Sequence, residues 1–308
     1  MRTWVTGASG FVARHLIPAL RADGHDVVGF GLEPAGPGWL DPSRYVSLDL
    51  GDTARVTAAA RAHPPGAVLH LAGQSSAAAS FRDPEGTFRN NLGSALGLLE
   101  GLRQAGARPR TLLVSSSEVY GPQASDRPVS EDSPPAVVSP YGASKLAAEA
   151  VGEAYRTAFG IPVVTVRPFS HTGPGQDDRF ALSSFARQIA AAEREGRPGT
   201  LQVGNLDVVR DYLDVRDVVE AYRVLLERPE PGSTVNIASG TGRRMRDLLD
   251  HMVAHARVPL VVHTDPSRLR AQDLNFMVGD AGRLARLGWA PRHDVTEALD
   301  GLLEWWRR

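Results

Sequence analysis

Short apolar runs alternate with longer mixed segments along most of the chain, and that alternation sets the fold class. Residues 3–6, 26–30, 45–49, 67–73, 110–115 and 163–168 are brief and mostly apolar, as strands buried on both faces are. The segments between them read as helices: from residue 11 to about 22, 55–63, 84–106, and a stretch beginning at Ser139-Pro140. A capping hydroxyl followed by proline marks that last helix start. A helix over 215–227 and a strand over 234–238 come later and return to the same sheet. Strand alternating with helix predicts a doubly wound parallel α/β sheet, with ligands beyond the C-terminal strand ends. Residues 1–168 plus about 211–239 are expected to form that layer. About 169–210 and 240–308 are expected to form a smaller C-terminal α/β domain.

Composition narrows the class. A chain of 308 residues allows one large domain or two closely joined ones. Hydrophobic content of 42% and charged content of 22% are ordinary for a soluble enzyme. A net charge of −1 argues against a general nucleic-acid binder. With 0 cysteines there is no disulfide, thiolate metal site or thiol nucleophile, which fits a reducing, cytoplasmic setting. No apolar stretch approaches ~20 residues, so no membrane span is expected. No signal peptide, internal repeat or metal cluster is apparent.

The first strand runs into Thr6-Gly7-Ala8-Ser9-Gly10-Phe11-Val12-Ala13 and then a helix. Gly7 and Gly10 let the backbone turn tightly against a pyrophosphate, the helix N-terminus adds amides and positive dipole, and small Ala13 allows close packing. Gly7, Ser9, Gly10, Phe11 and Val12 are therefore dinucleotide contacts, the Rossmann arrangement. Asp49 and Leu50 close the third strand where an adenine could lie, and Leu71 and Ala72 close the fourth. His70, in the same apolar run, reads as a core histidine. Gly31 stands where an acid usually grips the ribose, with Glu33 two residues on, and Arg14 is the candidate for a 2′-phosphate. NADP(H) is taken first and NAD(H) second. Ser115-Ser116-Ser117-Glu118 places hydroxyls and a carboxylate at the fifth strand's end. Tyr141 and Lys145, four residues apart, share a helix face. An ammonium near the phenol is expected to lower its pKa and suit it to acid–base work. Trp305 and Trp306 read as packing residues of a terminal helix.

The runs T-G-A-S-G-F-V-A, H-L-A-G, S-S-S-E-V-Y-G, Y-G-A-S-K and V-R-P-F-S-H-T-G-P-G-Q occur in an order that resembles the extended short-chain dehydrogenases/reductases. That resemblance covers essentially the whole chain. It implies a catalytic set of Ser116, Tyr141 and Lys145, with Glu118 beside it. Residues 204–212, 270–275, 279–280 and 287–289 resemble segments of enzymes that handle GDP-mannose derivatives. Ala271 stands where the pattern has proline, and Ser170 where the reductases usually have asparagine. The H-T-G-P-G-Q loop is more similar to GDP-4-keto-6-deoxy-mannose reductases than to 4,6-dehydratases. The implied activity is reduction of the sugar 4-keto group by NAD(P)H, giving a GDP-6-deoxyhexose such as GDP-D-rhamnose. Ser117, Ser170, His171, Arg187, Arg210, Arg270 and Asp273 are the implied contacts to the GDP-linked sugar, and arginine suits the diphosphate because its fork matches paired oxygens. A 4,6-dehydratase using Glu118 as base with Ser117 nearby, a 4-epimerase, and a non-catalytic NAD(P)-sensing regulator are the alternatives; the presence of both Tyr141 and Lys145 argues against the last. A homodimer through a four-helix bundle, built on helices near 94–105 and 145–159, is also implied.

Overall fold

A computed structural model of the chain describes residues 1–123, 127–228, 230–269 and 274–308. Among these, seven parallel strands make the central sheet: β1 (Arg2–Thr6), β2 (Asp26–Gly31), β3 (Tyr45–Ser47), β4 (Ala67–His70), β5 (Arg110–Val114), β6 (Val163–Pro168) and an edge strand, Thr234–Ile237. Their spatial order is β3-β2-β1-β4-β5-β6-edge, so the winding reverses between β1 and β4. Val5 pairs in register with Gly29 on one side and Leu69 on the other. The strands read as unbroken apolar runs because both faces are covered. Val5 enters a core with Leu16, Ile17, Leu69 and Tyr222, while its neighbour Trp4 enters the opposite one with Phe30, Leu98 and Leu113.

Several expected boundaries shift, among them the fourth strand, which ends at His70 instead of residue 73. The third strand ends at Ser47 instead of residue 49, because the Asp49 carboxylate accepts the Gly51 amide at 2.8 Å and turns the chain away. The single helix expected over 84–106 is interrupted. Pro84–Phe88 and Ser94–Gln104 flank a π-helical turn, Arg89–Gly93, that carries the buried Asn91. Such turns often mark functional positions. Finally, Val209–Asp214 pairs within the small sheet, so residues 211–214 sit there and the chain rejoins the large layer with the helix Val215–Glu227. The long helix Pro140–Phe159 forms as its sequence dictates. Ser139 Oγ accepts the Gly142 amide at 3.0 Å, proline follows, and Gly160 closes it at φ +69°.

The smaller layer joins Ser170–Thr172, Val209–Asp214, Gly242–Arg244 and Phe276–Met277 in one sheet, and Gly199–Val203 with Leu260–Thr264 in a parallel pair. Helices Ala181–Glu195, Met245–Ala254 and Val295–Arg307 share its core through Phe185, Leu249 and Leu299. Buried Asp211 ties its crossings together. It accepts Ser239 N at 2.8 Å, Ser239 Oγ at 2.6 Å, Gly240 N at 2.9 Å and Gly279 N at 3.2 Å. Trp306 Nε1 donates to Ser183 Oγ at 2.9 Å, a packing role for the terminal helix. No helix of the described residues is long and apolar enough to cross a membrane.

Candidate active site

The turn after β1 lies at the reversal of strand order. Gly7 sits at φ +67°, and a Cβ there would lie 3.0 Å from the Ala72 backbone. Glycine alone lets the turn press against the end of β4. Gly10 begins the helix Phe11–Ala22 with no side-chain cap, so its first amides stay open to an anion. The cradle therefore fits a dinucleotide pyrophosphate. Half-buried Leu71 and Ala72 border it, and Thr6 Oγ1 fixes the Ala72 amide at 3.1 Å. Val12 is half-buried in the helix's first turn. Phe11 stacks on His171 with ring centroids 6.1 Å apart. Leu50 is packed in the core and Asp49 is exposed. His70 is a satisfied core residue. Its Nδ1 meets Thr6 Oγ1 at 2.9 Å, and burial drives its pKa down to about 3.

Beyond β2, Glu33 folds back. Its Oε2 accepts Ser9 Oγ at 3.0 Å and Tyr45 Oη at 3.1 Å. A Cβ added to Gly31 would lie 2.7 Å from that oxygen. Glu33 thus fills the space that a strand-end acid would otherwise take. Arg14 lies between two indoles, its guanidinium carbon 4.9 Å from the Trp39 ring and 4.2 Å from that of Trp305.

On the other side of the crevice, Ser116 follows β5 and caps the short turn Ser117–Val119, its Oγ accepting Glu118 N at 3.2 Å. Ser116, Ser117, Tyr141 and Lys145 are all buried, between 7% and 8% exposed. The Ser116 hydroxyl lies near the Tyr141 phenol. Burial pushes the Tyr141 phenol up to about 12; the Ser116 hydroxyl opposes the shift and the charge of Glu118 adds to it. The lowering expected from Lys145 is not found. Lys145 Nζ donates instead to Val114 O at 2.8 Å, and desolvation of the phenol dominates. Burial brings Lys145 down to about 8, against the charge of Glu149, which raises it.

Several residues around this set were not singled out from sequence. Glu149, one turn beyond Lys145, receives Arg167 through Nε at 2.9 Å and Nη2 at 2.6 Å, and the Ser115 hydroxyl as well. Arg167 lies over the Tyr120 ring at 4.8 Å, and Tyr120 Oη donates to Asn236 Oδ1 at 2.7 Å. Asn91 in the π turn accepts Gln74 N at 2.7 Å and donates to Ser144 Oγ at 2.9 Å. A Cβ on Gly73 would meet both Asn91 Oδ1 and Lys145 Nζ, so those two groups share one space. An asparagine inside a helical run was the available signal. For Glu149 it was the four-residue step from Lys145.

The expected sugar-nucleotide contacts are less gathered. Ser170 is half-buried and pairs with Tyr212. His171 Nδ1 donates to Phe169 O at 2.9 Å, and burial lowers its pKa; its stacking on Phe11 sets it against the glycine turn. Arg187 is ion-paired to Asp178 at 2.8 Å. Arg210 is half-buried on its strand, Nη1 donating to Val209 O at 3.0 Å. Arg268, not singled out from sequence, reaches Ser184 Oγ at 3.5 Å, one turn before Arg187 on the same helix. Arg270 and Asp273 lie outside the described residues.

A crevice at the switch point, with a buried tyrosine and lysine across from a pyrophosphate cradle, defines the class: enzymes that exchange hydride with a nicotinamide dinucleotide. The chain belongs to the NAD dependent epimerase/dehydratase family, whose model matches residues 3–238. It is 38% identical to GDP-6-deoxy-D-mannose reductase of Pseudomonas aeruginosa, over 99% of this chain and 97% of that one. It is 31% identical to UDP-glucose 4-epimerase of Mycolicibacterium smegmatis, over 100% and 99%. Among solved structures, RMD from Pseudomonas aeruginosa complexed with NADPH superposes with a TM-score of 0.87 at 35% identity, covering 99% of this chain and 98% of that one. UDP-glucose 4-epimerase of Thermus thermophilus in complex with NAD gives a TM-score of 0.87 at 29% identity, covering 100% and 99%.

Proposed function

We propose that the protein reduces the 4-keto group of a GDP-4-keto-6-deoxy-mannose-type sugar nucleotide, giving a GDP-6-deoxyhexose such as GDP-D-rhamnose. The observation that carries this reading is Tyr141: buried, near the Ser116 hydroxyl and held protonated, it is set to give a proton. The full-length likeness to GDP-6-deoxy-D-mannose reductase supports the same direction. Gly7, Ser9, Gly10, Phe11, Val12, Leu71 and Ala72 would hold the dinucleotide, whose nicotinamide would supply the hydride for the C4 carbonyl. Tyr141 donates its proton to the oxygen at C4. Ser116, near the phenol, orients that oxygen. Lys145, largely charged near neutral pH, holds the nicotinamide ribose. Ser117, Ser170 and His171 border the sugar. The test is loss of NAD(P)H absorbance with the purified keto sugar nucleotide, one cofactor consumed per product. Glu118, whose charge reaches Tyr141, favours a second reading as a 4,6-dehydratase, in which cofactor absorbance is unchanged over a full turnover.

Arg210 is assigned to the diphosphate. A charge-assisted hydrogen bond contributes about 1.5–3 kcal/mol. Arg210→Ala should then raise the sugar-nucleotide KM by about ten- to a hundredfold and leave the cofactor KM alone. Arg210→Lys should restore only part, since lysine keeps the charge without the fork. A change confined to the cofactor KM would place the substrate elsewhere. Arg187, Arg270 and Asp273 stay as candidate contacts, and Arg268 joins them.

Glu33 bears on the cofactor. Its carboxylate lies where an acid grips the ribose hydroxyls of NAD, and a 2′-phosphate would meet like charge there. NAD(H) is the better fit to this geometry, although the Pseudomonas aeruginosa structure carries NADPH. Glu33→Gln should raise kcat/KM for NADPH relative to NADH by about tenfold, a shift of about 1.4 kcal/mol. An unchanged ratio would remove Glu33 from the cofactor site.

Leu96 is 44% exposed and Phe159 41% exposed on the two helices expected to form a dimer. A homodimer through those helices covers both, and light scattering at micromolar concentration should give twice the chain mass; a monomer mass contradicts it. With no cysteine in the chain, the cytoplasm is the proposed compartment.

A further inference from the structure

Two helices of the smaller layer bring together a set of side chains that the reduction does not use. His251 and His255 lie four residues apart at the end of the helix Met245–Ala254, with His255 as its C-cap and the two rings 4.5 Å apart. Asp300 comes from the terminal helix Val295–Arg307, its Oδ1 2.8 Å from His251 Nε2. One ligand atom from each of the three residues lies within 4.8 Å of the others. We propose that His251, His255 and Asp300 bind a divalent transition-metal ion of the zinc class and so clamp these two helices together.

The donor set fits that ion. Imidazole with a carboxylate suits zinc and its neighbours better than calcium or magnesium, which take oxygen. Zinc bonds of about 2.0–2.2 Å at tetrahedral angles put ligand atoms roughly 3.3 Å apart, so small side-chain rotations close the set. The tautomer of His255 is also prepared. Its Nδ1 donates to His251 O at 2.8 Å, which leaves the lone pair on Nε2 available to a metal. His255 and Asp300 are exposed, which gives the ion entry and leaves room for a water as the remaining ligand. A plain His251–Asp300 hydrogen bond also accounts for their contact, but it gives His255 no part, and this separates the two explanations.

The experiment uses the full-length protein after chelator treatment. Zinc should bind with one equivalent by calorimetry and raise Tm, as any ligand of the folded state does, while magnesium should not. Cobalt should give visible bands of tetrahedral intensity. His255→Gln should weaken zinc binding by at least about tenfold, since loss even of an outer partner costs about 10–100-fold. Without zinc, its urea midpoint should match the parent, because the His251–Asp300 hydrogen bond is intact. Asp300→Asn should weaken zinc binding as well. Absence of a zinc-dependent Tm shift in the parent protein, or undiminished zinc affinity in His255→Gln, overturns the site.

Discussion

Replacing Tyr141 with phenylalanine is expected to lower kcat by about 10²–10⁴-fold, the usual contribution of a positioned proton donor. The ring stays and fills the same buried space, so the fold and the cofactor KM should hardly change. Reduction needs an acid at C4, and burial keeps the phenol neutral well above neutral pH, with a pKa of about 12. Lys145, brought down to about 8, supplies positive charge nearby at neutral pH and loses it as pH rises through that value. Near-normal turnover in the phenylalanine variant would take Tyr141 out of the reaction.

The second large effect is on stability. Glu149 and Arg167 form a bidentate pair with side chains only 10% and 7% exposed, joining the long helix to β6 just behind Lys145. Arg167 Nη1 is buried with no hydrogen-bond partner, and the Tyr120 ring below the guanidinium offsets part of that loss. Removing one member of such a pair leaves a buried charge uncompensated, which costs about 3–5 kcal/mol. Glu149→Leu should lower the unfolding free energy by that amount in a urea titration. Replacing both residues, Glu149→Leu with Arg167→Met, should recover much of it, because two apolar side chains leave no charge stranded. A single variant costing under about 1 kcal/mol would mean that the pair behaves like an exposed one.

Much of this architecture is written locally. Buried parallel strands show as apolar runs, and a glycine turn at the first strand–helix junction shows as Gly7 and Gly10. Tyr141 and Lys145 show because one helical turn separates them. What the sequence did not display depends on contacts between distant segments. The insertion at Arg89–Gly93 leaves an ordinary helical spacing on either side. The rise in the Tyr141 pKa follows from how completely the phenol is covered, which no spacing encodes. Glu33 stands two residues past the usual position and reaches the site only by folding back on Ser9 and Tyr45. Arg167 is 18 residues from Glu149, and Asp300 is 49 from His251, so neither pairing has a local signature.

The central claim is a net hydride transfer to C4 with Tyr141 as the proton donor. Its most direct test is to supply NAD(P)H deuterated at the transferring position of the nicotinamide, with the GDP-linked 4-keto-6-deoxy sugar, and to read the product by NMR. The account predicts one deuterium at C4 of a GDP-6-deoxyhexose for each cofactor oxidised, and loss of that product in the Tyr141→Phe variant. A sugar product without deuterium at C4, formed while the cofactor remains reduced, would contradict it.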